Sequence, residues 1–363
     1  MRAAVCYELG KPLVVEDVRI LPPGPGEVRV RVAATAICHS DIHAIRPDWE
    51  QPVPIVAGHE AAGVVEQVGE GVTLVRPGDR VVLSLIRSCG RCFYCATGAP
   101  ELCDHPFRLA SESPLRTLDG REITQGCRVA SFAEEAIADQ SQLVRIDDDV
   151  PMDLACLLAC GVITGYGAVV NTAQVRPGSS VVVIGVGGVG LNAVQGALIS
   201  GAAQIVALDT QETKLEVARA FGATQALNAR EPGVGSAILD MTGGRGADYV
   251  FVTVGSGAAF AQGLELTRRG GTLVVVGMPA EGVTFQLPLR PIAGSGKRIL
   301  GSFMGETVLT VDIPRMIELY RQGRLKLAEL ISARYPLGEI NEAIESVERG
   351  EAIRNVIVLD PSA

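Results

Sequence analysis

Ser180-Val181-Val182-Val183-Ile184-Gly185-Val186-Gly187-Gly188-Val189-Gly190 decides the fold. The first five residues form the near-continuous apolar run of a strand buried on both faces. The glycines that follow fit G-x-G-x-x-G, and Val189 to Ile199 continues as an uncharged helix. Gln204 to Leu208 is the next strand, and Asp209 ends it, 19 residues beyond Gly190. Glycine at Gly185, Gly187 and Gly190 lets the backbone approach a pyrophosphate, and the helix N-terminus stabilises its charge. An acid about 20 residues on accepts from adenosine ribose hydroxyls. The loop alone is a weak signal; the strand before it, the helix after it and the acid at this distance make it specific. Asp209 repels a 2′-phosphate and Thr210 and Gln211 supply no arginine, so NAD is favoured over NADP. Lys214 either reaches the ribose as well or is an ordinary exposed helix lysine.

The same pattern extends outward. Lys214 to Phe221 reads as a helix, and Asp248 to Val254 and Gly271 to Val276 as buried strands, giving a doubly wound parallel sheet. Pro177 to Leu208 carries no charge over 32 residues, longer than the roughly 20 a membrane span needs. Gly185, Gly187, Gly188, Gly190, Gly196 and Gly201 break it into strand and helix lengths, so a buried β-α-β unit is expected instead. From Met1 to about Val150 the pattern is short strands and turns: Glu27 to Val32 alternates as a strand with one wet face, Val64 to Val68 and Arg80 to Leu85 follow, and Pro77-Gly78-Asp79 turns between them. A barrel-like, mostly antiparallel domain is predicted there. Leu154 to Cys160 reads as one buried helical run. Gly294-Ser295-Gly296 reads as a loop and a hinge. Beyond Leu300 come an amphipathic helix through Ile313, Met316, Ile317 and Tyr320, a second helix near Glu339 to Val347, and a strand at Asn355 to Leu359.

The chain has 363 residues, comfortable for two domains, and 47% hydrophobic with 20% charged residues describes a globular protein. A net charge of −9 argues against nucleic acid or an anionic membrane surface as partner, leaving small molecules and proteins. No apolar signal core follows Met1, so a cytoplasmic chain with reduced thiols is expected, and its nine cysteines read as free or metal-ligating.

Four of them, Cys89, Cys92, Cys95 and Cys103, lie within one short loop. Four thiolates close a tetrahedral site with no place for substrate, so a structural metal is predicted: zinc by default, with an iron–sulfur centre sharing the ligand set. Upstream, Cys38-His39-Ser40-Asp41-Ile42-His43 and Gly58-His59-Glu60 gather a thiol, imidazoles, a hydroxyl and carboxylates. Cys38 and His59 are read as two ligands of a catalytic zinc, with Ser40 and His43 beginning a proton path. A metal-storage protein would have no use for the Gly-rich loop, and a non-catalytic nucleotide binder none for Ser40 and His43.

Gly58-His59-Glu60-Ala61-Ala62-Gly63, Pro77-Gly78-Asp79-Arg80-Val81, the four-cysteine loop, Cys160-Gly161-Val162-Ile163-Thr164-Gly165-Tyr166-Gly167 and the Gly-rich loop, in this order, resemble the zinc-containing alcohol dehydrogenases of the medium-chain dehydrogenase/reductase superfamily. The resemblance implies α/β plus β architecture: a GroES-like β-rich catalytic domain, residues 1–160 and 301–363, around an inserted Rossmann NAD-binding domain, residues 161–300. It implies two zinc ions per chain, with Cys160 as third ligand of the catalytic one; by itself Cys160 reads as a buried helix cysteine. It further implies a zinc-bound alkoxide, a Ser40–ribose–His43 relay, Asp41 and Glu60 as carboxylates tuning the zinc site, and His39 and Arg354 as contacts to the NAD pyrophosphate. Dimers or tetramers and an alcohol, aldehyde or ketone substrate also follow from it. One branch acts on S-(hydroxymethyl) adducts of glutathione and a related one on other thiol adducts such as mycothiol. Trp49, standing where the glutathione branch has an acid ten residues before His59, points instead with Leu85 to an apolar pocket, while Arg108 stands near where that branch has a basic residue.

Overall fold

The Ser180–Ile184 strand takes an interior place in a six-stranded, all-parallel sheet. Across the sheet the order is Gln225–Asn228, Gln204–Asp209, Ser180–Ile184, Ala247–Val252, Thr267–Val275 and Arg298–Gly301. By sequence this runs third, second, first, fourth, fifth, sixth, so the winding reverses beside Ser180–Ile184, and ligands of such sheets bind beyond the strand carboxyl ends at that point. Gly185 begins there. The structure is a computed structural model in which residues 1–287 and 289–360 are described.

The charge-free segment is accounted for by burial. Val181, Val183, Ile205 and Ala207 are fully buried, and the Gly188–Ile199 helix is buried from Gly190 through Ala197 around most of its circumference. A helix enclosed on nearly all sides gains nothing from charge. Among the described residues no single helix is long and apolar enough to cross a membrane.

The chain divides into two compact units: Met1–Gly161 with the residues from Val308 onward, and Val162–Thr307. Gly294 and Ser295 fall within a helix, Leu289–Ser295, inside the second unit, so the hinge expected there is not one.

In the first unit, Glu27–Ala36 is the central strand. Glu60–Val68, Glu135–Asp139 and Arg354–Val358 all pair with it antiparallel, and Arg80–Leu83 and Leu143–Arg145 extend the sheet. Its alternating face is drier than expected. Arg29 and Arg31 are half-buried, because they pair with Glu135, and with Glu66 and Asp360. The run Leu154 to Cys160 is not one helix. It divides into Met152–Ala155, a 3-10 turn Cys156–Ala159, and a helix from Gly161, leaving Cys160 at the break with φ −148°.

Candidate active site and metal centres

Three strands of the first unit bring their ends together. Cys38 follows Glu27–Ala36, His59 precedes Glu60–Val68, and Arg354 opens Arg354–Val358; in register, Ala36 pairs with both Glu60 and Val356. Cys160 reaches the same place because Ser84 Oγ, just past Arg80–Leu83, donates to Ala159 O at 2.6 Å. The ligand atoms of Cys38, His59, Glu60 and Cys160 all lie within 4.8 Å of one another, and all four residues are buried.

Asp41 aligns this cluster. It is fully buried in the first turn of the His39–Ile45 helix. One carboxylate oxygen accepts from Cys38 N at 3.1 Å, and the other from Gly58 N at 2.9 Å and His59 Nδ1 at 2.7 Å. A carboxylate only accepts, so Nδ1 donates to it, and Nε2 is the ring nitrogen left available to a metal. Nε2 is buried and has no hydrogen-bond partner. A buried ring nitrogen left without a partner beside two thiols is costly, a cost that a bound cation would remove, and this Cys/Cys/His set suits zinc. Hydrogen bonding from Cys160 holds the Cys38 thiol well below its ordinary pKa despite burial, and the same contact holds Cys160 well above its own. The two sulfurs thus share one proton, which a bound metal would displace. Burial opposes charge on His59, but Asp41 and Cys160 outweigh it. Glu60 is pushed up to about 7 by burial, which the neighbouring Arg354 only partly offsets.

The other residues read from sequence are distributed as follows. His39 is exposed, and Ser40 half-buried, in the first turn of the His39–Ile45 helix. His43 Nδ1 is 2.7 Å from Asp48 Oδ2, and the Trp49 ring lies 5.1 Å from the His43 ring. Asp48 was not foreseen; lying beyond the helix end, it has no periodic relation to His43. Arg354 is 4% exposed and ion-paired with Glu60, deep beside the thiols. Cys127, unassigned from sequence, has a ligand atom within 4.8 Å of those of Asp41 and His59, on left-handed backbone at φ 47°.

The ligand atoms of Cys89, Cys92, Cys95 and Cys103 likewise lie within 4.8 Å of one another. The Cys92 and Cys103 sulfurs are 3.7 Å apart, where a tetrahedron with Zn–S of about 2.3 Å has edges of about 3.8 Å. Backbone amides of Cys92, Cys95 and Cys89 donate to the sulfurs of Cys89, Cys92 and Cys103 at 3.3, 3.5 and 3.3 Å. A further backbone donor, at Arg91, leads in bringing the Cys89 thiol down to about 7. Such an array fits thiolates bound to a cation.

In the second unit, Gly185 has φ +87°, and a Cβ on Gly190 would stand 1.9 Å from Gly185 O, so both positions require glycine. A Cβ on Gly187 would meet nothing within 4 Å, so the loop's outer side is clear for a ligand at the N-terminus of the Gly188–Ile199 helix. Asp209 also holds the loop: its carboxylate accepts from Val186 N at 2.9 Å, and from Thr210 N and Gln211 N at 2.7 and 3.1 Å. Lys214 is half-buried in the first turn of Glu212–Ala220.

Comparison with known proteins agrees with both units. Residues 24–148 match the alcohol dehydrogenase GroES-like domain and residues 188–322 the zinc-binding dehydrogenase family. A putative alcohol dehydrogenase D of Mycobacterium tuberculosis is 38% identical, over 98% of this chain and 99% of its own. An NDMA-dependent alcohol dehydrogenase of Amycolatopsis methanolica is also 38% identical, over 98% of each chain. The crystal structure of benzyl alcohol dehydrogenase from Acinetobacter calcoaceticus superposes with a TM-score of 0.92 at 33% identity, covering 99% of each chain. With full-length relatives and a Cys/Cys/His set that fits zinc, the chain belongs to the zinc-type alcohol dehydrogenases of the medium-chain dehydrogenase/reductase superfamily.

Proposed function

We propose that this oxidoreductase interconverts a primary or secondary alcohol and its aldehyde or ketone with NAD(H), using one zinc at Cys38, His59 and Cys160 and a second, structural zinc at the four-cysteine loop. The observation that carries this is His59 Nε2, buried without a partner beside two thiols. Zinc held there would supply Lewis acidity that lowers the pKa of an alcohol. NAD supplies the hydride acceptor.

The chain's own residues do the rest. Asp41 fixes the His59 tautomer and orientation through Nδ1. Ser40 Oγ, two residues from Cys38, takes the substrate's proton. His43, with Nδ1 engaged by Asp48, receives it at Nε2. Asp209 and the glycines hold the dinucleotide, with Lys214 and His39 as further contacts. Arg354, ion-paired with Glu60, favours the charged form of a carboxylate that burial disfavours beside the metal ligands. A homodimer or homotetramer accords with the family.

The similarity to a benzyl alcohol dehydrogenase favours an apolar, aromatic or medium-chain alcohol. Arg108, the basic residue a glutathione adduct would use, is bonded to Glu27 and Glu112, which weighs against the thiol-adduct reading. The deciding experiment measures metal per chain and then NADH formation over benzyl alcohol, hexanol, 2-butanol and S-(hydroxymethyl)glutathione, with NDMA as acceptor in a parallel series. Two zinc per chain and alcohol-dependent NADH support the proposal. Turnover only with the thiol adduct, or only with NDMA, replaces its substrate or its acceptor.

A further inference from the structure

The second unit holds a cavity of 440 Å³ lined by Arg176, Arg268 and Arg298 together with Ser179, Asp248 and Tyr249. It lies at the end of the parallel sheet away from the Gly-rich loop. Tyr249, Thr272 and Arg298 stand in one register row across three adjacent strands. Ser180, where the neighbouring strand starts, is five residues before Gly185, or about 16 Å at ~3.3 Å per residue.

Three arginines line the cavity, in a chain of net charge −9, against one carboxylate. That carboxylate is already saturated. Asp248 accepts from Ser180 N and Oγ, both at 2.8 Å, and from Arg268 Nε at 2.6 Å, which fixes Arg268 in the wall. Arg176 and Arg298 are exposed, and among the described residues no hydrogen bond or ion pair engages either guanidinium. Each arginine follows a helix end by a few residues, where a cation ordinarily serves the last carbonyls. Lys297 does so, donating to Leu264 O at 2.6 Å, whereas Arg176 and Arg298 do not. Their planar forks are free to take oxyanions in pairs, and the volume suits a small metabolite.

We propose that this cavity binds a small molecule carrying more than one phosphoryl group, at a site separate from the dinucleotide loop. Fructose 1,6-bisphosphate is the probe, titrated calorimetrically into zinc-replete full-length enzyme at low ionic strength with NAD saturating. Saturable binding is expected, and R176A/R298A is expected to weaken it at least tenfold with KM for NAD and alcohol unchanged. Both substituted residues are exposed, so the variant should fold; melting without the probe checks this, and hydrogen exchange in wild type should slow at residues 173–179 when the probe is added. Absence of saturable binding at matched ionic strength, or equal affinity in the double variant, overturns the proposal.

Discussion

Asp41 shows how one side chain commits a site. By accepting from Cys38 N, Gly58 N and His59 Nδ1 it caps a helix, closes a turn and sets a tautomer. D41N is expected to weaken zinc retention or lower kcat/KM by about 10–100-fold, the usual range for a partner behind a metal ligand; kinetics and zinc competition titration check this, and wild-type values for both would remove its orienting role. Removal of a ligand is more severe. C38A should bind one zinc fewer per chain and lose turnover, read by elemental analysis beside the kinetic assay. The role of Asp41 came from the sequence only through the family resemblance, as a carboxylate tuning the zinc site; its cap on Cys38 N, three residues away, is a structural finding. The Asp48 contact to His43 and the Cys127 approach to His59 were not legible in the sequence, since neither follows from helix period or motif spacing.

At the scale of elements, the Gly-rich loop was the most legible part, because strand burial, turn sterics and helix start all act within a dozen residues. Its tightest constraint is at Gly190. G190A should force the loop off Gly185 O and raise KM for NAD more than tenfold while both metals remain, a split visible by comparing kinetics with metal content. Asp248 ties the starts of two neighbouring strands. Burial raises its pKa, but hydrogen bonds from Ser180 and Arg268 prevail and depress it. A depressed carboxylate adds stability above its unfolded pKa, about 3.9, and loses it as pH falls through the folded value. D248N should therefore melt below wild type at pH 7, with the gap closing as pH falls below that unfolded value; a gap independent of pH would assign the loss to packing. The Leu154–Cys160 run was misread as one helix because apolar composition does not reveal where a backbone breaks.

For the whole molecule, the two predicted metal centres differ in kind. Four cysteines gather at one, while the other has two cysteines, an imidazole and the Glu60 carboxylate. A chelator such as 1,10-phenanthroline should abolish turnover when about one zinc per chain has left, with little change in melting; loss of the second should lower the melting temperature. Simultaneous loss of both would contradict this division. The sequence by itself determined the Rossmann fold, the four-cysteine loop and the membership of Cys38 and His59 in one ligand-rich region, since hydrophobic period, turn chemistry and short-range ligand spacing are local. Cys160 was linked to them only through the family resemblance, and the tertiary structure brings it there; the structure alone decided that Arg354 turns inward to Glu60 and that three arginines line a cavity at the sheet's far end. Those are pairings between strand ends far apart in the chain, and their positions follow from sheet register and core burial, which no short stretch encodes.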